Sequence, residues 1–277
     1  MNTELPPTEQ RNPASGRLGE LPPARVAALM NAEEHRVLEA VENISPLIAI
    51  TAGKVAAAFR GGGRTIFIGA GTSGWIALQE AAELPPTFGV AADRFAVLAA
   101  GGELMGAAAI TRSEDDVRAA PAALQCLGAG SGDVIIALAA SGTTPFVRAG
   151  VQAGVQADAW TCAISSNPGA PLLRDGDLGI FLDTGPEILT GSTRLKAGTA
   201  QKLVLNQITT AAMVVAGRVA ENHMVELTGF NHKLRQRALR IVMDLARVDE
   251  DQARARLEQA SWHVRDALQV ELHRQEL

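Results

Sequence analysis

"RTIFIG" (64–69) and the overlapping "GAGTSG" (69–74) decide how this chain folds. The first is a short β-rich run bounded by glycines, which is how strands are punctuated. The second is small and hydroxyl-bearing, and the Ala-rich stretch behind it, 73–83, reads as helix. Strand, polar loop and helix together open an α/β unit. The pattern recurs along the chain. "RFAVLA" (94–99), "DVIIALAA" (133–140), "AWTCAIS" (159–165) and "LGIFLD" (178–183) are further apolar runs, and helical stretches at 103–110, 115–126 and 145–156 separate most of them. Continuous rather than alternating apolar strands predict a parallel sheet covered on both faces.

Working outward, 22–43 and 46–60 read as two helices broken at Pro46, and 197–217 as a long apolar one. Residues 1–21 are polar and Pro-rich and read as an extended, exposed N-terminal arm. At Asn231 the composition turns charged and poor in glycine. Leu234, Ala238, Ile241, Val242 and Leu245 form one helical stripe, Asp249 is placed to cap a second helix with Ala253 and Leu257 inward, and Trp262, Leu268 and Leu272 suggest a third. The expected organisation is an arm (1–21), an α/β domain (22–230) and a small three-helix module (231–277).

Composition narrows the function. The chain has 277 residues, 47% of them hydrophobic, enough for a sizeable core. Its 25 basic and 30 acidic residues, net −5, leave no basic footprint for nucleic acid. No apolar run is long and charge-free enough to span a bilayer, and the polar N-terminus is not a secretory signal. Two cysteines, Cys126 and Cys162, make a disulfide framework implausible and a reducing cytosol the natural home. The five histidines neither pair at helical spacing nor cluster with the cysteines, so no metal site is expected.

Chemistry is sought where strands end, because ligands of open α/β sheets bind at the carboxyl ends of strands. Three loops qualify: "GAGTSG" (69–74), "SGTTP" (141–145) and "TGSTRLKAGT" (190–199). Each offers hydroxyls and backbone N–H groups at a helix start, which suits a phosphate. The first is not the G-x-x-x-x-G-K-[ST] of a nucleotide P-loop, so a nucleotide P-loop is disfavoured. The nearby carboxylates are Glu83, Glu114 with Asp115 and Asp116, and Glu187. Asp115 and Asp116 read as caps of a helix N-terminus. Glu83 and Glu114 read first as solvated charges on residue chemistry alone. Glu83 is also expected at a forced helix end, since Pro85 and Pro86 follow it. Lys196 and Arg194, the cations inside a polar loop, could hold a substrate carboxylate or serve a surface.

Taken together, "TEQRNPAS" (8–15), "IGAGTSG" (68–74), "AELPPTFGV" (82–90), "AGGE" (100–103), "AASGTTPFV" (139–147), "SNPGAP" (166–171), "GPEILTGSTRLKAGTAQKLVLN" (185–206) and "NHKLRQRALRIV" (231–242) resemble the N-acetylmuramic acid 6-phosphate etherases of the sugar isomerase (SIS) superfamily. The resemblance implies a flavodoxin-like SIS domain, a cytosolic homodimer and no cofactor or metal. It also implies cleavage of the D-lactyl ether to N-acetylglucosamine 6-phosphate and D-lactate. The family's acid falls on Glu83, its second active-site glutamate on Glu114, and its phosphate-holding hydroxyls on Ser73, Ser141 and Ser192. The substrate-binding set this suggests is Gly71, Thr72, Ser73, Ser141, Gly142, Thr143, Thr144, Glu187, Ser192 and Lys196. If 73–83 is one helix, Ser73 and Glu83 are about 15 Å apart along it, so Glu83 is expected to complete the site of the other subunit. Trp75 and Thr143 stand where the family usually has cationic or amide side chains. An aldose–ketose isomerase and a sugar-phosphate sensor without turnover are the rival readings.

Overall fold

The computed structural model describes residues 5–102 and 113–269. They fall into two compact units, Met1–Ala81 with Asp93–Ala212, and Ala82–Ala92 with Met213–Leu277.

The first unit contains the sheet. Strands β1 (Thr65–Gly69), β2 (Phe95–Ala99), β3 (Val134–Leu138), β4 (Trp160–Ser165) and β5 (Leu178–Phe181) run parallel in the order β2-β1-β3-β4-β5. Helices α1 (Pro23–Asn43), α2 (Ser45–Arg60), α3 (Gly71–Phe88), α4 (Ala119–Leu127), α5 (Pro145–Gln156) and α6 (Lys196–Val215) connect or flank them, α3 and α6 continuing into the second unit. Every residue of β1 and β3 is buried, as their unbroken apolar composition predicts. Their side chains alternate between two covers. Ile66, Ile68, Ile135 and Ala137 pack with Phe146, Val147 and Val151 of α5. Phe67 instead stacks on Phe95, which stacks on Phe59 of α2. Helix α5 lies close because Gly154 has no side chain: a Cβ there would stand 2.3 Å from Ile135 Cδ1. At β4, the Cys162 thiol meets Thr51 of α2 and burial pushes its pKa up to about 12, so it is an inert core group.

The order β2-β1-β3 means that the chain leaves β1 in one direction along the sheet and returns to build on its other side. The topological switch point therefore falls between β1 and β3. The 69–74 and 141–144 loops follow these two strands, so the polar loops flank the crevice that this topology opens.

The second unit has its own core, made of Val225, Leu227, Leu239, Val242, Leu257, Val264 and their neighbours. Its helices are α7 (His232–Ala246), α8 (Glu250–Gln259) and α9 (Val264–Gln269). Asn231 caps α7 by accepting the Leu234 N–H at 2.9 Å, and Asp249 caps α8 by accepting that of Gln252 at 2.8 Å. Ala253 and Leu257 point inward as expected. The third helix begins later than its apolar residues suggest, at Val264. Trp262 precedes it in a left-handed conformation (φ +63°), under the guanidinium of Arg235. Leu272 lies outside the described residues, as does the helix expected at 103–110.

Three expectations are corrected. The arm is not an extended tail: it forms three 3₁₀ turns and buries Thr8, Asn12 and Ser15. Asp115 and Asp116 do not cap a helix. Helix α4 begins only at Ala119, its N-cap is Arg118 without a side-chain bond, and Asp116 instead accepts the Arg118 N–H. Nor does α3 end at its prolines; Pro85 and Pro86 lie inside it. A proline in a helix interior removes one ladder bond and costs about 3 kcal/mol. Here Thr87 Oγ1 donates to the Glu83 carbonyl at 2.6 Å, the Gly89 N–H reaches the Pro85 carbonyl at 3.0 Å, and Leu84 and Phe88 are buried. These contacts carry the helix through, and Glu83 stands exposed within it.

Candidate functional site

After β1 the chain turns directly into α3. Gly69 permits this turn, since a Cβ on it would stand 2.7 Å from the Gly74 nitrogen, and Gly71 adopts φ +54°. Gly71, Thr72 and Ser73 thus form the first turn of a helix, where N–H groups lack intrahelical acceptors. Ser73 is buried, and its hydroxyl donates to Gln201 Oε1 on α6 at 2.8 Å. The Gln201 amide nitrogen, also buried, has no partner among the described residues.

After β3 the 141–144 loop curls on itself. Ser141 Oγ accepts from the Thr143 N–H and Thr143 Oγ1, both at 3.2 Å, with Thr144 Oγ1 3.5 Å away. Pro145 then opens α5 at the position where a missing N–H costs nothing. Gly142 is required twice over. Its φ is +67°, and a Cβ would stand 2.4 Å from Ala170 Cβ and 2.5 Å from Ser165 Oγ. Gly142→Ala is expected to destabilise the chain by about 2–4 kcal/mol, combining left-handed strain with overpacking. Denaturant unfolding measures this, and a loss below about 1 kcal/mol contradicts it.

Glu114 is fixed at this loop. Its carbonyl accepts the N–H of Phe146, the second residue of α5, at 2.9 Å, and its side chain is half-buried. Among the described residues, therefore, Glu114 joins Ser141, Gly142, Thr143 and Thr144 at one helix start.

The third loop leads into α6. Glu187, 1% exposed, accepts the N–H groups of Lys196 and Ala197 at 3.1 and 2.9 Å, one on each carboxylate oxygen. Burial raises its pKa, and those two N–H bonds limit the rise. Lys196 is 2% exposed and its ammonium lies 2.5 Å from Glu33 Oε2 on α1. The same oxygen accepts from Asn12 of the arm at 2.6 Å, and Asn12 also donates to the Pro186 carbonyl. Burial would raise the Glu33 pKa, but the bonds from Lys196 and Asn12, with the charges of Lys196 and Arg36, hold it below the ordinary value. Both charges are thus engaged within the protein, while Ser192 is half-buried and Arg194 exposed. Glu83 sits in the segment grouped with the second unit.

Sequence reasoning passed over Thr8, Asn12, Glu33, Asn167 and Gln201. Each is a polar residue more than half-buried through a partner distant in the chain, and no local pattern announces such a pairing. Glu80 is another: it is buried on α3 and bound by Lys202 and Thr209 of α6.

The parallel sheet with hydroxyl loops at its switch point defines the class. The fold is that of the phosphoheptose isomerases from Neisseria gonorrhoeae and Francisella tularensis. Their structures match with TM-scores of 0.52 and 0.54 at 20% and 16% identity, covering 68% and 69% of this chain and 97% of each of theirs. The family model of the glucokinase regulatory protein N-terminal SIS domain matches residues 47–155. N-acetylmuramic acid 6-phosphate etherases are far nearer in sequence. That of Geobacillus sp. (strain WCH70) is 43% identical, over 94% of this chain and 88% of its own length. That of Cutibacterium acnes is 44% identical, over 96% and 88%. The chain belongs to the N-acetylmuramic acid 6-phosphate etherase family.

Proposed function

We propose that this chain cleaves the D-lactyl ether of N-acetylmuramic acid 6-phosphate, giving N-acetylglucosamine 6-phosphate and D-lactate. Family membership selects the reaction. The structural observation that carries it is the anchoring of Glu114 at the start of α5, beside the hydroxyl loop of the switch point. The N–H groups of Gly71–Ser73 and Ser141–Thr144, with the hydroxyls of Ser141 and Ser192, hold the phosphate, in the manner of a helix N-terminus, while the Ser73 hydroxyl braces the first loop against Gln201. Glu187 and Lys196 support that ring by fixing the loop that carries Ser192.

An alkoxide at C3 leaves only with help. Opening the sugar ring exposes an aldehyde that acidifies the C2 proton. Glu114 takes this proton, Glu83 protonates the ether oxygen, and D-lactate departs to leave a C2–C3 double bond. Water adds back at C3 and the proton returns to C2, so the sum is one water consumed per ether cleaved. Two carboxyl groups suffice if their surroundings hold them in opposite protonation states.

Ser73 and Glu83 lie on the same helix, α3, and at its rise per residue are about 15 Å apart along the axis. One hexose phosphate does not bridge that distance, so Glu83 serves the partner's site in a homodimer. Mixing inactive Glu83→Gln subunits with inactive Ser141→Ala subunits is expected to restore about a quarter of native activity per mixed population, through hybrid dimers with one intact site. No recovery after subunit exchange contradicts the shared site. The cytosol is the proposed location, consistent with two free cysteines; among the described residues no helix is long and apolar enough to cross a membrane.

A second reading is kept by Trp75. It stands 46% exposed one turn into α3, where the family usually has a cation. A sensor that binds the sugar phosphate without turnover fits that exchange. Assay of D-lactate released from N-acetylmuramic acid 6-phosphate separates the two: release supports the etherase, and binding without release supports the sensor.

A further inference from the structure

A cavity of about 270 Å³ opens beside the 141–144 loop. Its walls come from three places: Ser141 and Thr143 of that loop, Asn167 and the turn after it, and Pro6, Thr8 and Glu9 of the arm. Pockets that engulf a drug-sized ligand run about 300–1,000 Å³, so this one suits part of a sugar phosphate rather than all of it.

The arm is held there by buried bonds. Asn167, 5% exposed, uses its whole amide: Oδ1 accepts the Thr8 N–H at 3.1 Å, while Nδ2 donates to Thr8 Oγ1 at 2.9 Å and to the Ser141 carbonyl at 3.1 Å. One side chain therefore joins the arm to the hydroxyl loop. Thr8 itself is 2% exposed. The next residue, Glu9, begins no such bond. Its carboxylate has no hydrogen-bond or ion-pair partner among the described residues, yet Oε2 lies against Gly191, 3.5 Å from where a Cβ would stand. Gly191 adjoins Ser192 in the third loop and takes φ +79°. The carboxylate is exposed to solvent on a fixed backbone and lines the same cavity as Ser141 and Thr143, so a ligand seated there meets it as an acceptor.

We propose that the N-terminal arm is a wall of the phosphosugar subsite, that Glu9 contacts the substrate, and that Asn167 is the positioning residue that keys the arm to the loop. This rests on the phosphosugar reading above. The loop hydroxyls take the phosphate. Glu9 accepts from the sugar hydroxyls next to the phosphate-bearing carbon, since a carboxylate has about four acceptor sites and no donor. Its charge also repels a second anion, which turns the lactyl carboxylate of the substrate away from this end. The arm thereby selects one orientation of a molecule that is anionic at two points.

Calorimetric titration of the intact protein with N-acetylglucosamine 6-phosphate tests this without turnover. Glu9→Gln is expected to weaken binding about 10–100-fold, the effect of losing a hydrogen bond to a charged group, with no change in melting temperature. Thr8→Val removes the Oγ1 acceptor and is expected to raise KM while leaving kcat near native; Thr8→Ser, which keeps it, restores KM. Equal affinity of native protein and Glu9→Gln overturns the proposal and leaves the etherase reading standing. A difference in affinity with no D-lactate released by the native protein overturns the etherase reading alone. No binding by the native protein overturns both.

Discussion

Glu83→Gln is expected to lower D-lactate release by about 10²–10⁴-fold, the contribution of a positioned general acid. The substitution keeps size and hydrogen bonding but removes the transferable proton. Glu83 is exposed on α3, and its backbone carbonyl, not its carboxyl, receives Thr87 Oγ1. Folding should therefore be indifferent to the change, and the loss should fall on kcat. The division of labour makes a sharper forecast. Glu114 remains, so the C2 hydrogen should still exchange with deuterated water in the variant, although the ether no longer breaks. Glu114→Gln should abolish that exchange. Proton magnetic resonance of the substrate in D₂O reads both. Equal loss of exchange and cleavage in Glu83→Gln would contradict the assignment of acid and base.

Lys196→Met is expected to cost stability, about 3–5 kcal/mol, the penalty for breaking a buried ion pair from one side. Lys196 is fully enclosed, and Glu33, its partner at 2.5 Å, has 16% of its side chain exposed. Without the ammonium, the Glu33 carboxylate keeps only Asn12 and the more distant charge of Arg36. The double variant Glu33→Gln/Lys196→Met should lose less than the sum of the single variants, because neither charge is then stranded. The contribution also depends on pH. The carboxyl of Glu33 is held below its ordinary value, so the stabilisation is complete above the unfolded value near about 4.3. It disappears as pH falls through the lower folded value. Urea unfolding of the three variants at neutral pH measures the effect, and a single-variant loss under about 1 kcal/mol contradicts it.

Much of the fold was legible because its signals are local. The five strands are short apolar runs between glycines, and the unbroken burial of Ile66, Ile68, Ile135 and Ala137 leaves their hydrophobicity no alternative outlet. Asp249 and its capped helix were equally plain, since a cap is a relation between residues three apart. What failed was long-range. Pro85 and Pro86 look like a stop signal until the Thr87 hydroxyl and the burial of Leu84 and Phe88 are counted. The arm looks like a tail because Thr8 and Asn12 are polar; that they pair with Asn167 and Glu33, far along the chain, cannot be seen in any window. The candidate site divides the same way. The hydroxyl loops announce themselves through glycine and serine at strand ends. That Lys196 and Glu187 are committed inside the protein follows only from their surroundings.

The central claim, ether cleavage by elimination and rehydration, is tested most directly by reaction in ¹⁸O-labelled water. Native protein is incubated with N-acetylmuramic acid 6-phosphate, and both products are weighed by mass spectrometry. The prediction is unlabelled D-lactate, which keeps the ether oxygen, and N-acetylglucosamine 6-phosphate carrying ¹⁸O at C3. Label in the lactate, or no lactate at all from a protein that binds the sugar phosphate, would contradict it.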